Sequence, residues 1–381
     1  MFVDRILNYI TAENICWAIL ALFALAWVIQ LAYYLFVFSR LSFHKPVKSD
    51  ASEPPVSVII CARNELKNLK ANLISILEQD YKVFQVIVVN DCSWDESEKY
   101  MEELTEKYPH LKIVSIKEQE RYQHGKKFAL TIGIKSAQYE HLLLTDADCY
   151  PAGNQWIRLM MSKYSHDTKI VIGYGAYIKQ NSFINRWVRF DTAFNAMQYL
   201  SYALGKNTYM GVGRNLSYLR SLFFANKGFA SHQHIMSGDD DLFVNETARA
   251  SNTAVQLHPD SFTYSQPKTS FTEWFRQKKR HVSASVLYRF RHKLSLGIFI
   301  MSTILFYPAL VVLLISKFKI VWVASAFGLR LIIQMAIFGS CLKKLKETDL
   351  IPLIPVYDIF IAFIYPLIAL SNLFVKNKTW K

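Results

Sequence analysis

Asp146 and Asp148 close a short apolar run, Leu142 to Cys149 (LLLTDADC), in a pattern that could do chemistry. Side chains alternate along a strand, so carboxylates two residues apart face the same way. Fixed at a strand end, they are hard oxygen ligands suited to Mg2+ or Mn2+ carrying a diphosphate. Taken alone, the pair is as well explained by a solvated acidic turn. A second candidate is the triplet Asp239-Asp240-Asp241, between Gly238 and Leu242. Adjacent acids raise one another's pKa, which suits a proton acceptor, although a plain acidic first helical turn has the same appearance.

The elements that must position these residues are legible in order. Lys45 to Pro55 is a polar, proline-containing linker, and Val56 to Cys61 (VSVIIC) is a continuous apolar run typical of a strand buried on both faces. A helix over Glu65 to Gln79 follows, with Leu69, Leu73, Ile76 and Leu77 at helical spacing. Then come a strand (Phe84 to Val89), a helix (Asp95 to Lys107), a strand (Leu111 to Ile116), a helix (Lys126 to Ser136) and the LLLT strand. Strands alternating with helices imply a parallel sheet with right-handed crossovers, whose ligands bind at the carboxyl ends of the strands. Strand one ends near Glu65, strand two at Asn90-Asp91 and strand four at Asp146. Glu65 alone reads as a first-turn acid and Asp91 as a helix cap. Three acidic strand ends on one edge are harder to dismiss.

The chain of 381 residues is 52% hydrophobic, and the excess is localised. Asn14 to Ser39 is 26 positions without a charge and Leu294 to Ser316 is 23, while Ile320 to Leu342 is broken only by Arg330 and Leu350 to Val375 only by Asp358. Each exceeds the roughly 20 residues a helix needs to cross hydrocarbon. The first run is too long for a signal peptide and is followed by Arg40, Lys45 and Lys48, so it reads as a retained anchor. Placing the middle region in the cytosol puts nine flanking basic residues inside, including Arg289, Arg291 and Lys343, against Arg5, Lys317, Lys319, Lys376, Lys378 and Lys381 outside. That bias predicts a multi-pass protein of the cell inner (plasma) membrane. The net charge of +14 is explained by basic flanks and a polyanionic nucleotide substrate. No zinc-ligand spacing or RNA-binding signature points to nucleic acid. The five scattered cysteines read as free thiols.

SVIICARNE, VIVVNDCSWDES, GKKFAL, LLLTDADC, SGDDDL and QKKRH, in that order, resemble the membrane-bound inverting family-2 glycosyltransferases, the group of cellulose, hyaluronan and chitin synthases. The resemblance covers roughly residues 55 to 282. It implies an α/β fold: a single nucleotide-sugar-binding domain of glycosyltransferase A type with a mostly parallel central sheet, flanked by transmembrane helices. It further implies that Glu65 and Asp91 contact the nucleotide base and ribose, and that Lys126 lies near the nucleotide. Asp146 would face ribose and metal and Asp148 would be a direct metal ligand, with Mg2+ or Mn2+ neutralising the diphosphate as it leaves. One acid of the triplet would take the acceptor hydroxyl's proton. Asp239 is the preferred base because Asp241 then supplies the acid often found two places later; Asp240 fits the same pattern with Phe243. Asn215, in Gly211-Val212-Gly213-Arg214-Asn215, is a candidate contact in the sugar pocket.

Gln277 and Arg280 match the family's Gln-x-x-Arg-Trp, where both lie near the diphosphate, but His281 replaces the tryptophan under the acceptor sugar. This replacement speaks against a stacking platform for a growing chain. The plain structural alternative for this helix is a membrane-surface segment whose basic side chains meet lipid phosphates. The aromatic segment Phe183 to Leu204 reads equally as an interfacial helix or as one packed on the sheet. Arg330 and Asp358 fall at similar depths on adjacent spans and are expected to pair.

The expected organisation is an anchor and linker (residues 1–50), a cytosolic catalytic domain (51–285) and a membrane domain of three helices (286–381). The expected activity is transfer of a sugar from a nucleotide sugar, UDP-linked by expectation, to a polysaccharide or lipid-linked acceptor at the membrane. Single addition to a glycolipid and a silent nucleotide-sugar-binding subunit are the alternatives, and a homo-oligomer is one way to complete a channel.

Overall fold

The computed structural model describes residues 11–45, 53–117, 125–235 and 237–374. Most of the predicted linker (46–52) and the flanking charges Arg5, Lys48, Lys376, Lys378 and Lys381 lie outside them.

The first helix, α1 (Ala12–Ser42), is long and apolar enough to cross a membrane, and is interrupted by a π-helical turn at Tyr34–Phe38. The chain then alternates: β1 (Val56–Ala62), α2 (Leu66–Leu77), β2 (Phe84–Asp91), α3 (Ser97–Lys107), β3 (Leu111–Ile116), α4 (Lys126–Ser136) and β4 (His141–Asp146). After β5 (Cys149–Pro151), α5 (Trp156–Met161), β6 (Ile170–Ile172) and β7 (Gly175–Tyr177) comes the long helix α6 (Phe183–Leu204). The second half of the domain is built from β8 (Leu216–Leu219), α7 (Arg220–Ala225), α8 (Asp241–Thr247), β9 (Thr253–Val255), β10 (Thr263–Ser265) and α9 (Phe271–Ala284). Three further helices are long and apolar enough to cross a membrane: α10 (Phe290–Ile315), α11 (Ile320–Lys344) and α12 (Ile354–Phe374).

The central sheet has the order β3-β2-β1-β4-β8-β6-β9. Its first four strands are parallel, as the alternation with helices predicts. β8 runs antiparallel to both β4 and β6. A three-stranded sheet, β5-β10-β7, sits beyond the end of β4. These short strands escape sequence reasoning because three residues carry almost no periodicity.

Both faces of the main sheet are covered, which is why its strands read as unbroken apolar runs. Val58, Ile60 and Leu143 belong to one core with Leu69 and Leu73 of α2, Met101 of α3 and Trp156 of α5. The alternate residues Ile59, Leu142 and Leu144 face a second core with Ala129 and Ile134 of α4. This second core runs without a break through Phe190 and Phe194 of α6 into Phe299 of α10, Phe338 of α11 and Tyr357 of α12. The segment Phe183–Leu204 is therefore packed between the sheet and the long apolar helices, with most of its residues buried, rather than lying free on an interface.

Arg330 and Asp358 pair as expected, Nη2 to Oδ2 at 2.6 Å. Gln30 of α1 accepts from Arg330 Nε at 2.5 Å and donates to the Ser302 carbonyl, and Tyr307 donates to Asp358. One buried polar network thus touches all four long apolar helices.

Candidate active site

β1, β2 and β4 are in register and parallel, so their carboxyl ends reach one edge together. Cys61, near the end of β1, lies within electrostatic reach of Lys126, Asp146, Asp239 and Asp91. Asp91 is the last residue of β2 and is fully buried. Glu65 precedes α2, accepts a hydrogen bond from Asn68 at 2.5 Å and lies within electrostatic reach of Asp148. The loops after β1 and β2 are knitted together: Asn64 N donates to Ser93 Oγ, Trp94 N to Asn64 Oδ1 and Leu66 N to Asp95 Oδ2.

Lys126 opens α4 and joins the two acidic motifs. Its ammonium is 2.9 Å from Asp146 Oδ1 and 2.9 Å from Asp239 Oδ2. Burial alone would drain its charge, but Asp146, Asp239 and Asp240 outweigh that and hold it protonated. A small cavity of about 10 Å³ beside it is lined by Cys61, Thr145, Asp146, Gly213, Asp239 and Asp240.

The triplet is delivered by Gly238, whose φ of +97° is a conformation other residues rarely adopt. The three acids have different surroundings. Asp239 points at Lys126; burial pushes its carboxyl up, but the ammonium's charge and hydrogen bond prevail and keep it below the usual range. Asp240 accepts from Gly213 N and Asp241 N, both at 2.7 Å, and burial followed by the charge on Asp239 lifts it to about 6. Asp241 accepts from Tyr288 Oη at 2.7 Å and is raised by burial and by Asp240 to about 7.

Asp146, Asp148 and Cys149 present ligand atoms within 4.8 Å of one another. The two carboxylates suit a hard dication. Burial and the charge on Asp146 raise Asp148, a cost that a bound cation would offset. The thiol is a poor partner for Mg2+ and is held protonated by its burial.

Asn215 departs from its predicted place. Its amide is fully buried, donating to the carbonyls of Tyr174 and Ser261 and accepting from Trp156 Nε1, so it braces the core and does not face the cleft. Its neighbours Gly213 and Arg214 are the residues of that stretch that reach the acids.

Helix α9 brings Gln277 to Tyr177 Oη at 3.3 Å. Arg280 is half-buried one turn further along, and the exposed His281 lies within electrostatic reach of Arg214 and Asp239. Lys278 and Lys279 are not lipid-facing: Lys278 is buried against Asp191 at 2.9 Å, and Lys279 donates to the Ser371 carbonyl of α12. The residues that sequence reasoning passed over are thus Arg214, Tyr177 and Tyr288.

Residues 57–224 match the family described as Glycosyl transferase family 2. That stretch, a little under half of the chain, is similar to family-2 glycosyltransferases. Its fold is of the glycosyltransferase A type, an α/β domain with a mostly parallel central sheet. The domain is 30% identical over 127 residues to the poly-beta-1,6-N-acetyl-D-glucosamine synthase of Staphylococcus epidermidis, a match covering 32% of this chain and 29% of that protein. It is 30% identical over 126 residues to an uncharacterized glycosyltransferase of Haemophilus influenzae, covering 33% of this chain and 37% of the relative. The match therefore spans about a third of the length of these relatives. Among solved structures, the mannosyltransferase PcManGT from Pyrobaculum calidifontis, in complex with GDP-Man and Mn2+, shares the fold over 94% of this chain and 99% of its own, at a TM-score of 0.60 and 20% identity.

Proposed function

We propose that this protein is a metal-dependent, inverting glycosyltransferase of the cell inner membrane, with its catalytic domain in the cytosol. It takes a sugar from a nucleotide sugar and transfers it to a polysaccharide or lipid-linked acceptor at the membrane face. The observation that carries this reading is the convergence of Asp146, Asp148 and Asp239 around Lys126 at the carboxyl edge of the parallel sheet.

Glu65 and Asp91 bind the nucleoside at the ends of β1 and β2. Asp148 and Asp146 hold Mg2+ or Mn2+, which when bound supplies positive charge to the departing diphosphate. Lys126 exchanges its carboxylate partners for the diphosphate when donor binds. That exchange frees Asp239 to accept the proton of the acceptor hydroxyl as its oxygen attacks the anomeric carbon. Asp240, with both oxygens taken by backbone N–H groups, fixes the loop that carries the base. Gln277 and Arg280 close the diphosphate side and His281 faces the acceptor.

The donor is expected to be UDP-linked, in keeping with a relative named as an N-acetylglucosamine polymer synthase; the fold neighbour holding GDP-Man makes GDP sugars the comparison. His281 in place of an aromatic platform favours single addition to a lipid, whereas four apolar helices and the Gln-x-x-Arg spacing favour elongation. The test is nucleoside diphosphate release by the purified chain in detergent, across UDP and GDP sugars with Mn2+ or Mg2+ and native membrane lipid. Sugar-selective, metal-dependent release abolished by Asp148→Ala and by Asp239→Ala is expected. Nucleotide binding with no release from any donor, in every lipid extract, would instead identify a silent binding subunit.

A further inference from the structure

Arg214 sits beside the metal-binding carboxylates but has no carboxylate of its own. Its backbone is fixed between two strands: the hydroxyls of Thr145, which immediately precedes Asp146, and of Thr263 both donate to its carbonyl at 3.0 Å. The guanidinium stacks on the Tyr177 ring, 4.5 Å from its centroid. One terminal nitrogen, Nη1, donates to Ser265 Oγ at 3.0 Å and to the Ala176 carbonyl at 3.3 Å. Gly175 leaves room for this arrangement, since a Cβ there would come within 3.0 Å of the Arg214 Cβ.

Asp148 and Asp146 lie within electrostatic reach, yet Arg214 forms no ion pair among the described residues. Nε and Nη2 have no hydrogen-bond partner among them either. Placing a guanidinium in a half-buried wall without a counter-ion is unfavourable unless something else supplies one. The unused edge of a planar fork matches two oxygens of a phosphoryl group, a geometry that lysine does not offer. Tyr177 also ties this site to α9, through its hydrogen bond from Gln277.

We propose that Arg214, held on Tyr177 and Ser265, is an anion-binding residue that takes a phosphoryl group beside the Asp146–Asp148 pair. This rests on the glycosyltransferase reading, under which two ligands offer that chemistry: the donor's diphosphate and the phosphate of a lipid acceptor. Either way the site receives negative charge on the side of the cleft where α9 closes it.

The test is calorimetric binding to the full chain in detergent with Mn2+, using UDP, GDP, their nucleosides and a polyprenyl monophosphate, for wild type, Arg214→Gln and Arg214→Lys. The expected result is at least a roughly tenfold loss of diphosphate affinity in Arg214→Gln, with nucleoside affinity unchanged and a smaller loss in Arg214→Lys. Unchanged diphosphate binding with loss of the polyprenyl phosphate assigns the same residue to the acceptor. Equal binding of both probes by wild type and Arg214→Gln overturns the proposal. A wild-type chain that binds neither nucleotide refutes the glycosyltransferase reading itself. Thermal unfolding checks the variants' folding; if Arg214→Gln does not fold, Tyr177→Leu, which removes the ring and the hydroxyl, must weaken the same ligand while Tyr177→Phe, which removes the hydroxyl alone, does not.

Discussion

Lys126 holds Asp146 and Asp239, each at 2.9 Å, and the proposed chemistry gives these two carboxylates separate roles. Asp239→Asn removes the proposed proton acceptor while keeping shape; kcat is expected to fall about 10²–10⁴-fold with nucleotide affinity nearly unchanged, in steady-state release assays. Asp148→Asn should instead abolish the metal dependence of nucleotide binding, read by titration with and without Mn2+. The raised acids give a pH signature. Asp240 and Asp241 titrate near 6 and 7 in the fold against an ordinary 3.8, so the native state holds more protons through that window. Their contribution to stability is therefore present below about pH 4 and is lost as pH rises to 7. Asp241→Asn is expected to flatten the fall of the unfolding midpoint between pH 4 and 7, measured by differential scanning in detergent. The acids themselves were visible in the sequence because carboxylates stand out at the ends of apolar runs. Arg214 was not: it adjoins Asn215 in a short turn, and only the fold decides which of two neighbours points into the core.

Helix α9 shows the same limit at the scale of an element. Its Gln277–Arg280 spacing is legible in the sequence, and Ser270 caps it, accepting from Glu273 N. Its basic residues look like a lipid-facing stripe, yet Lys278 is neutralised by Asp191 of α6. Asp191 also accepts from Trp274 Nε1 at 3.2 Å and from Tyr365 Oη at 2.8 Å. One carboxylate thus fixes α6, α9 and α12 together. Asp191→Ala leaves a buried ammonium unpaired and is expected to destabilise by about 3–5 kcal/mol. Asp191→Asn, which can still accept hydrogen bonds, should cost less. Unfolding of the solubilised variants measures the difference. No sequence spacing encodes this contact, because these partners come from two other helices, each more than 80 positions away.

The whole molecule is organised by a core that passes from the sheet through α6 into the long apolar helices, so the sheet and those helices are packed as one body. Arg189 of α6 reinforces this by pairing with Glu347 and Asp349 in the connection between α11 and α12. Within the apolar helices, the Arg330–Asp358 pair is satisfied further by Gln30 and Tyr307. Removing either charge strands the other in an apolar bundle, and Arg330→Leu or Asp358→Leu should each sharply reduce folded yield. The double Leu variant, which leaves no unpaired charge, is expected to recover part of it. Fluorescence-detected size exclusion of the three variants checks this; equal loss in the double and single variants would count against the pair.

The sequence by itself determined the parallel β1–β4 core, the four long apolar helices, the acidic strand ends and the pairing of Arg330 with Asp358. Each of these is written in local composition: unbroken apolar runs, alternation of strands with helices, and charges too costly to leave alone in hydrocarbon. Only the tertiary structure decided the antiparallel β8, the small β5-β10-β7 sheet, the burial of α6, the bracing role of Asn215 and the seating of Arg214 on Tyr177 within electrostatic reach of Asp146 and Asp148. Those depend on which distant segments meet, and short strands and single side chains carry no periodic signal from which such meetings can be read.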